Sequence, residues 1–133
     1  MGTAPAGTRA LLADQRILIV EEDLLIAMMV TDEVSERRGT VVGPSDIVNG
    51  AIEGLDAGPV FAAIMDANLH DRDFTPVALR LLEMAVSFVI YSGTGLPADP
   101  ASSDPGIPLE MKPGRPVDRL IDILRGGAEA QRV

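Results

Sequence analysis

Several short apolar runs of this sequence end in polar residues of the kinds that carry out chemistry. In chain order these residues are the acidic trio Glu21, Glu22 and Asp23, then Asp66, Ser92 and Lys112. The carboxyl ends of parallel strands meet at one edge of a sheet, so parallel strands would gather these groups in one crevice. Clustered carboxylates raise one another's pKa values unless a cation neutralises them, and Mg2+ prefers such oxygen ligands. The set therefore predicts Mg2+-assisted phosphoryl chemistry.

Within that set each type of residue has a distinct task. Asp66 is the candidate nucleophile toward a phosphoryl group, Lys112 offsets charge on the phosphoryl oxygens, and Ser92 donates a hydrogen bond to the acyl phosphate. Taken alone, each feature is more often an ordinary turn or strand end. Independent turns have no reason to place an acid, a nucleophile, a hydroxyl and a lysine after strands one, three, four and five, so the joint placement favours function.

The elements that must position these residues alternate between strand-like and helical patterns. This alternation is typical of a doubly wound α/β domain, in which helices cover both faces of a parallel sheet. The predicted strands are residues 17–20, 40–42, 60–65, 86–91 and 107–111, and the helical periods cover residues 26–34, 48–55, 74–85 and 116–124.

Turn and cap signals set the boundaries of these elements. They predict a turn at Gly43-Pro44, an N-cap at Ser45 or Asp46 for the second helix, an N-cap at Asp73 for the third, and an end at Gly126-Gly127 for the last.

The segment of residues 93–106 contains three prolines and three glycines, which predicts a loop or one short turn in place of a fourth helix. Pro108 places the fifth strand at an edge of the sheet, because proline cannot donate to a ladder.

Length and composition predict one globular domain. The sequence has 133 residues, of which 47% are hydrophobic and 23% charged. We expect a flexible leader over residues 1–15, from which Leu11 and Leu12 can dock, a domain over residues 16–126 and a short tail over residues 127–133.

Charge and cysteine content exclude several classes of function. Eleven basic against 20 acidic residues give a net charge of −9, which repels nucleic acid and anionic membranes. With no cysteine there is no disulfide and no thiolate metal site. No signal peptide and no apolar run long enough to cross a bilayer is present, so we expect a soluble cytoplasmic protein.

Four separated motifs resemble the receiver domains of two-component response regulators. The resemblance runs from about Arg16 to Arg125. It rests on ILIVEED at 17–23, IMDANL at 64–69, VIYSG at 89–93 and EMKPG at 110–114. It implies a flavodoxin-like sheet in the strand order 2-1-3-4-5, here with the fourth helix degraded or replaced by a loop.

The resemblance also implies the roles of the site residues. Asp66 would accept phosphate from a sensor histidine kinase or a histidine phosphotransfer protein and lose it slowly by self-catalysed hydrolysis, with no independent metabolic activity. Mg2+ would be bound by Glu21, Glu22, Asp66 and the main-chain carbonyl of Asn68. Lys112 and Ser92 would pair with the phosphoryl group, and Asn68 and Thr94 would control the lifetime of the phosphate. The Lys112-Pro113 bond would be cis.

Four departures from the family pattern are visible. Glu22 stands where the family has Asp, which leaves open whether Glu22 and Asp23, rather than Glu21 and Glu22, form the acidic pair. Leu109 replaces the switch aromatic of strand five. Residues around Ser92 resemble an atypical subgroup whose motif reads Phe-Ala-Thr-Gly-Tyr, and His70, which can titrate near the site, stands where the family often has Pro.

Two other functions compete with a phosphorylated switch. A degenerate receiver would bind a partner without phosphorylation, and a phosphatase of the haloacid-dehalogenase kind would also use Asp, Mg2+, Ser and Lys. The phosphatase ranks low because its nucleophile usually ends the first strand. Because few residues follow Arg125, we expect a stand-alone receiver that signals by protein contact, with the downstream partner and homodimer formation left open.

Overall fold

The computed structural model describes residues 12–67, 69, 74–93 and 108–131, which form one parallel sheet with helices on both faces. The sheet has the order β2-β1-β3-β4-β5, and each neighbouring pair is parallel. This confirms the predicted flavodoxin-like, doubly wound fold with the order 2-1-3-4-5. The strands are β1 (Arg16–Val20), β2 (Thr40–Ser45), β3 (Ala62–Asp66), β4 (Ser87–Ser92) and β5 (Leu109–Met111).

Within the described part of the chain, four helices cover the sheet. They are α1 (Leu24–Glu36), α2 (Val48–Ala57), α3 (Thr75–Glu83) and α4 (Pro116–Gln131). Helices α1 and α4 pack together on one face, and α2 and α3 pack together on the other. An ion pair between Arg37, just after α1, and Asp118 of α4 links the helices of the first face.

The central strands are apolar because both of their faces are buried. In β1, Ile17 and Ile19 pack in the core under α1 and α4, whereas Leu18 and Val20 pack in the core under α2 and α3. The same period of two divides the side chains of β3 and β4 between the cores. This alternation therefore determines on which face of the sheet the residues at the strand ends lie.

Two boundaries predicted around the second strand are wrong. Strand β2 continues through Gly43-Pro44 to Ser45, with an irregular register against β1, and an edge strand tolerates such a proline. Helix α2 has Ile47 as its N-cap and no side-chain cap, so neither Ser45 nor Asp46 caps it. Ser45 is unavailable as a cap because it belongs to the strand.

The last helix also ends later than predicted. Helix α4 runs through Gly126-Gly127 to Gln131, into the predicted tail. A glycine inside a helix costs only about 1 kcal/mol relative to alanine, so two glycines weaken a helix without ending it.

Other boundaries fall partly outside the described residues. Helix α3 has Phe74 as its N-cap without a side-chain cap bond, and Asp73, the predicted cap, lies outside the described residues. The predicted loop of residues 93–106 lies outside them too, except Gly93.

Across the described ranges, no helix has both the length and the apolar character needed to span a membrane.

The end of the predicted leader belongs to the core. Leu12 is fully buried in the core under α1 and α4. The backbone beside it is attached as well, because the Asp14 N–H donates to the Arg38 carbonyl at 2.9 Å and the Thr40 N–H donates to the Gln15 carbonyl at 2.8 Å.

Leu12→Ala should therefore lower the free energy of unfolding by about 2 to 4 kcal/mol, because it removes a buried side chain and leaves a cavity. Urea denaturation measures this. The matched control is Leu24→Ala at a position that is 71% exposed, where we expect a change within about 0.5 kcal/mol. Equal effects of the two substitutions would show that Leu12 is not a core residue.

Candidate functional site

Glu21 and Asp66 stand side by side at the carboxyl edge of the sheet. Glu21 follows β1 directly, and Asp66 is the last residue of the neighbouring strand β3. They lie two positions beyond Ile19 and Ile64, which both pack in the core under α1 and α4, so the strand period places both carboxylates on that face. Each residue is only 5% exposed.

One ammonium group bridges these two carboxylates. Lys112 Nζ lies 3.0 Å from Oε1 of Glu21 and 3.2 Å from Oδ2 of Asp66. Lys112 follows β5 directly, and its backbone N–H donates to the carbonyl of Ser92 at 2.8 Å. The Lys112-Pro113 bond is cis, as the resemblance implied. The fold thus brings together residues from the ends of β1, β3 and β5.

The surroundings of the Glu21 carboxyl group disfavour its charged form. Its pKa is raised from 4.5 to about 7, chiefly because burial penalises the carboxylate and because it is hydrogen-bonded with the Asp66 side chain. The Asp23 N–H, which donates to Oε2 of Glu21 at 3.1 Å, and the Lys112 ammonium lower the pKa but do not cancel the rise.

The amino group of Lys112 is stabilised in its charged form. Burial lowers the pKa of Lys112, but the hydrogen bond to Glu21 and the negative charge of Asp66 together raise it by more, to a value above the usual 10.5. Lys112 is therefore an ammonium ion at neutral pH.

The other predicted site residues in the described ranges lie around this cluster. Ser92 ends β4 and is 1% exposed. Glu22 is exposed. Asp23 caps α1, because its Oδ1 accepts hydrogen bonds from the N–H groups of Leu25 at 2.9 Å and Ile26 at 3.3 Å. Asp23 thus has a structural task of its own, which is to begin the helix.

Three residues named by the resemblance, Asn68, His70 and Thr94, lie outside the described residues. The structure therefore places neither the main-chain carbonyl assigned to Mg2+ nor the two residues assigned to the phosphate lifetime.

The donor set fits a Mg2+ ion that takes only a few of its ligands from the protein. Among the described residues, no three Asp, Glu, His or Cys side chains converge. Glu21 and Asp66 nevertheless supply two adjacent buried carboxylates, and Mg2+ is commonly held by one or two carboxylates together with phosphate oxygens and water. A divalent cation would also stabilise the charged form of Glu21, which burial disfavours.

The sequence alone favours no more than a packing role for Tyr91, at the end of a strand. Its hydroxyl group hydrogen-bonds to Gly114, two residues after Lys112, and its ring lies beside the Lys112 ammonium. The signal was its position, because it directly precedes Ser92 and pairs with Asp66 across β3 and β4.

Comparison with protein-family models found no match, and neither did comparison with curated proteins. Solved structures do match. The solution structure of SdrG from Sphingomonas melonis Fr1 is 34% identical, with a TM-score of 0.72 over 87% of this chain and 98% of SdrG. A structure described as the BeF3-activated conformation of SdrG from Pseudomonas melonis Fr1 is 35% identical, with a TM-score of 0.62 over 85% and 95%.

A more distant structure supports the fold alone. The response regulator PhyR from Brucella abortus is 21% identical, with a TM-score of 0.73 over 96% of this chain and 54% of PhyR. The parallel sheet with the strand order 2-1-3-4-5 is that of a signalling receiver. With SdrG matched over almost its whole length at 34% identity, the chain belongs to the receiver domain family of response regulators.

Glu21→Gln should stabilise the Mg2+-free protein at about pH 8 and have little effect at about pH 4. Because the folded-state pKa of Glu21 is raised, the stability contributed by its protonated form is complete below pH 4.5 and is lost as the pH rises through about 7. Glutamine carries no charge, so the variant should gain about 3 kcal/mol relative to the parent across this window. Urea denaturation in a chelating buffer measures the difference.

The control for this experiment is Glu22→Gln, which removes the exposed neighbouring carboxylate. We expect its stability to follow that of the parent at both pH values. A Glu21→Gln variant whose stability relative to the parent does not change with pH would contradict the raised pKa.

Proposed function

We propose that this protein is a phosphoacceptor receiver, which takes a phosphoryl group on Asp66 from the phosphohistidine of a sensor histidine kinase or a histidine phosphotransfer protein. The observation that carries the proposal is the buried cluster in which Lys112 Nζ bridges the carboxylates of Glu21 and Asp66. A nucleophile, a second acid and a fixed cation within hydrogen-bonding distance are what phosphoryl transfer to a carboxylate needs.

The proposed transfer uses the Asp66 carboxylate as the nucleophile. An oxygen of Asp66 attacks phosphorus, the P–N bond of the donor phosphohistidine breaks, and its electron pair goes to the imidazole nitrogen. Lys112 then lies within reach of the phosphoryl oxygens and offsets their charge. Ser92, at the end of the strand beside β3, would donate its hydroxyl to a phosphoryl oxygen.

Glu21 and Asp66 would hold Mg2+ directly, and the exposed Glu22 through water. When bound, Mg2+ would neutralise charge on the phosphoryl oxygens. The main-chain carbonyl of Asn68 would complete the protein ligands, and Asn68 and Thr94 would tune the lifetime of the phosphate; these assignments come from the receiver motif.

The relative SdrG supports the proposal through its printed description as a BeF3-activated conformation. A beryllium fluoride group has the tetrahedral shape and the charge of a phosphoryl group. A relative that is 35% identical and activated in this way makes the same kind of ligand at Asp66 the leading expectation for this chain.

A protein donor also needs a surface beside the acceptor, and the outer side of α1 fits this need. Leu24, Leu25, Met28 and Met29 are each more than half exposed and form one apolar stripe that begins two residues after Glu22. Contiguous exposed apolar groups mark protein contacts. We place the phosphohistidine donor there, in contact with the edge that carries Asp66.

The test of phosphorylation is the intact mass of the protein after incubation with acetyl phosphate, with and without Mg2+. We expect the parent to gain one phosphoryl group only with Mg2+, and Asp66→Asn to gain none, because the amide is not a nucleophile. Asp56→Asn is the matched control, since Asp56 is an exposed aspartate paired with Arg80 that precedes the start of β3, whereas Asp66 lies at the end of that strand.

The control variant should be modified as fast as the parent. A folded parent that gains no phosphoryl group from acetyl phosphate or from purified histidine kinases would favour the phosphorylation-independent interaction module. Sustained turnover of a chromogenic phosphate ester would instead favour the phosphatase.

Mg2+ titrations test which acids form the metal site. We expect Glu21→Gln to weaken Mg2+ binding and Asp23→Ser to leave it unchanged, because Asp23 serves as the N-cap of α1 and serine preserves a cap. The fluorescence of Tyr91, the only tyrosine of a sequence without tryptophan, reports binding. Loss of binding in Asp23→Ser with normal binding in Glu21→Gln would assign the site to Glu22 and Asp23.

A further inference from the structure

Tyr91 occupies a central place beside the acceptor residue. It is the penultimate residue of β4 and pairs with Asp66 of β3 on one side and with Glu110 of β5 on the other. It is 7% exposed and packs in the core under α1 and α4. Its side chain therefore lies on the face of the sheet that also holds the carboxylates of Glu21 and Asp66.

The hydroxyl group of Tyr91 forms two hydrogen bonds with one residue of the loop after β5. It donates to the carbonyl of Gly114 at 3.1 Å and accepts from the N–H of Gly114 at 3.0 Å. A buried tyrosine usually finds one partner for its hydroxyl. Here both the donor and the acceptor capacity of the hydroxyl are used on the same backbone position.

The loop that carries Gly114 is tightly fitted. A Cβ atom at Gly114 would lie 2.5 Å from Oε2 of Glu110 and 2.6 Å from the carbonyl of Met111, so no side chain fits there. The carboxylate of Glu110 accepts from the Arg115 N–H at 3.1 Å, at the start of α4. The loop thus has little freedom to adjust if one of its attachments is lost.

Lys112 is attached to this loop and needs it for its position. A lysine reaches its partner through a flexible four-carbon stem, so the place of its ammonium group depends on how firmly its backbone is held. The Lys112 backbone is held by Ser92 on one side and, two residues on, by the bonds of Tyr91 to Gly114 on the other. The ammonium also lies 5.5 Å from the centroid of the Tyr91 ring, within cation–π range.

We propose that Tyr91 is a positioning residue that acts through Lys112: its hydroxyl fixes the loop at Gly114 and its ring borders the ammonium, so that Lys112 Nζ is held on the carboxylates of Glu21 and Asp66. Its consequence for phosphoryl transfer rests on the proposed function. Tyr91 itself does not touch the reacting atoms.

The sequence supplies two selective probes of this arrangement. Lys112 is the only lysine and Tyr91 the only tyrosine. Reductive methylation therefore modifies one side chain, apart from the N-terminal amine, which peptide mass mapping separates. The methylation rate of Lys112 measures how often its amine leaves the two carboxylates.

The decisive variant is Tyr91→Phe, which keeps the ring and removes only the hydroxyl. We expect Lys112 to be methylated about tenfold faster. Losing the net contribution of one hydrogen bond changes the equilibrium between the held and the released amine by about this factor. At saturating Mg2+ the maximal rate of phosphorylation by acetyl phosphate should fall by about the same factor. The Mg2+ dissociation constant should stay unchanged, because the metal ligands are intact.

Tyr91→Leu is the second variant and removes the ring as well. We expect it to increase the methylation rate at least as much as Tyr91→Phe does. A Tyr91→Phe protein with parental methylation and phosphorylation rates would overturn the proposal, even if Tyr91→Leu were affected, because the tyrosine would then only fill space. If the parent is not phosphorylated, the proposed function fails, and the methylation rate of Tyr91→Phe still decides whether Tyr91 holds Lys112.

Discussion

The arrangement depends on one buried group of charges, the Lys112 ammonium between the carboxylates of Glu21 and Asp66. Two buried carboxylates in contact are unfavourable unless a cation lies beside them, and exposed fractions of 5% for both acids leave little help from water. The cation comes from a position 91 residues after Glu21. The topology supplies it because the ends of β1, β3 and β5 lie along one edge, so the charge cluster depends on the strand order.

The cluster is not balanced in its charge. One ammonium faces two carboxylates, which leaves a negative excess, and burial is the main reason that the pKa of Glu21 is raised. Under the proposed function this excess is useful, because it attracts a divalent cation to the place where a phosphoryl group must be neutralised. An aspartyl phosphate carries about two negative charges, so Glu21, the phosphoryl group, Lys112 and a divalent cation together sum to nearly zero. Under the proposed function, the unphosphorylated cluster can therefore accept both a divalent cation and a negatively charged phosphoryl group.

The sequence predicted the order of elements and the members of the cluster, because both depend on local signals. The apolar runs that end in Glu21, Asp66, Ser92 and Lys112 can be recognised in the sequence without any knowledge of tertiary contacts. Other features depend on contacts between distant residues and could not be predicted. Gly43-Pro44 has the composition of a turn, yet it lies in a strand because β2 is at the sheet edge. The bond from the Tyr91 hydroxyl to Gly114 depends on loop geometry that no spacing in the sequence encodes.

The same geometry determines how a change at Asp66 can reach the surface. The family's aromatic on strand five is Leu109 here, and it packs toward the core under α2 and α3. The ring beside the lysine comes instead from β4, on the opposite face. A shift of Lys112 toward a phosphoryl group would therefore pull on Gly114, which borders a cavity that Arg37 and Asp118 also line. Since the ion pair of those two residues joins α1 to α4, a displacement of Gly114 would reach the contact between these helices.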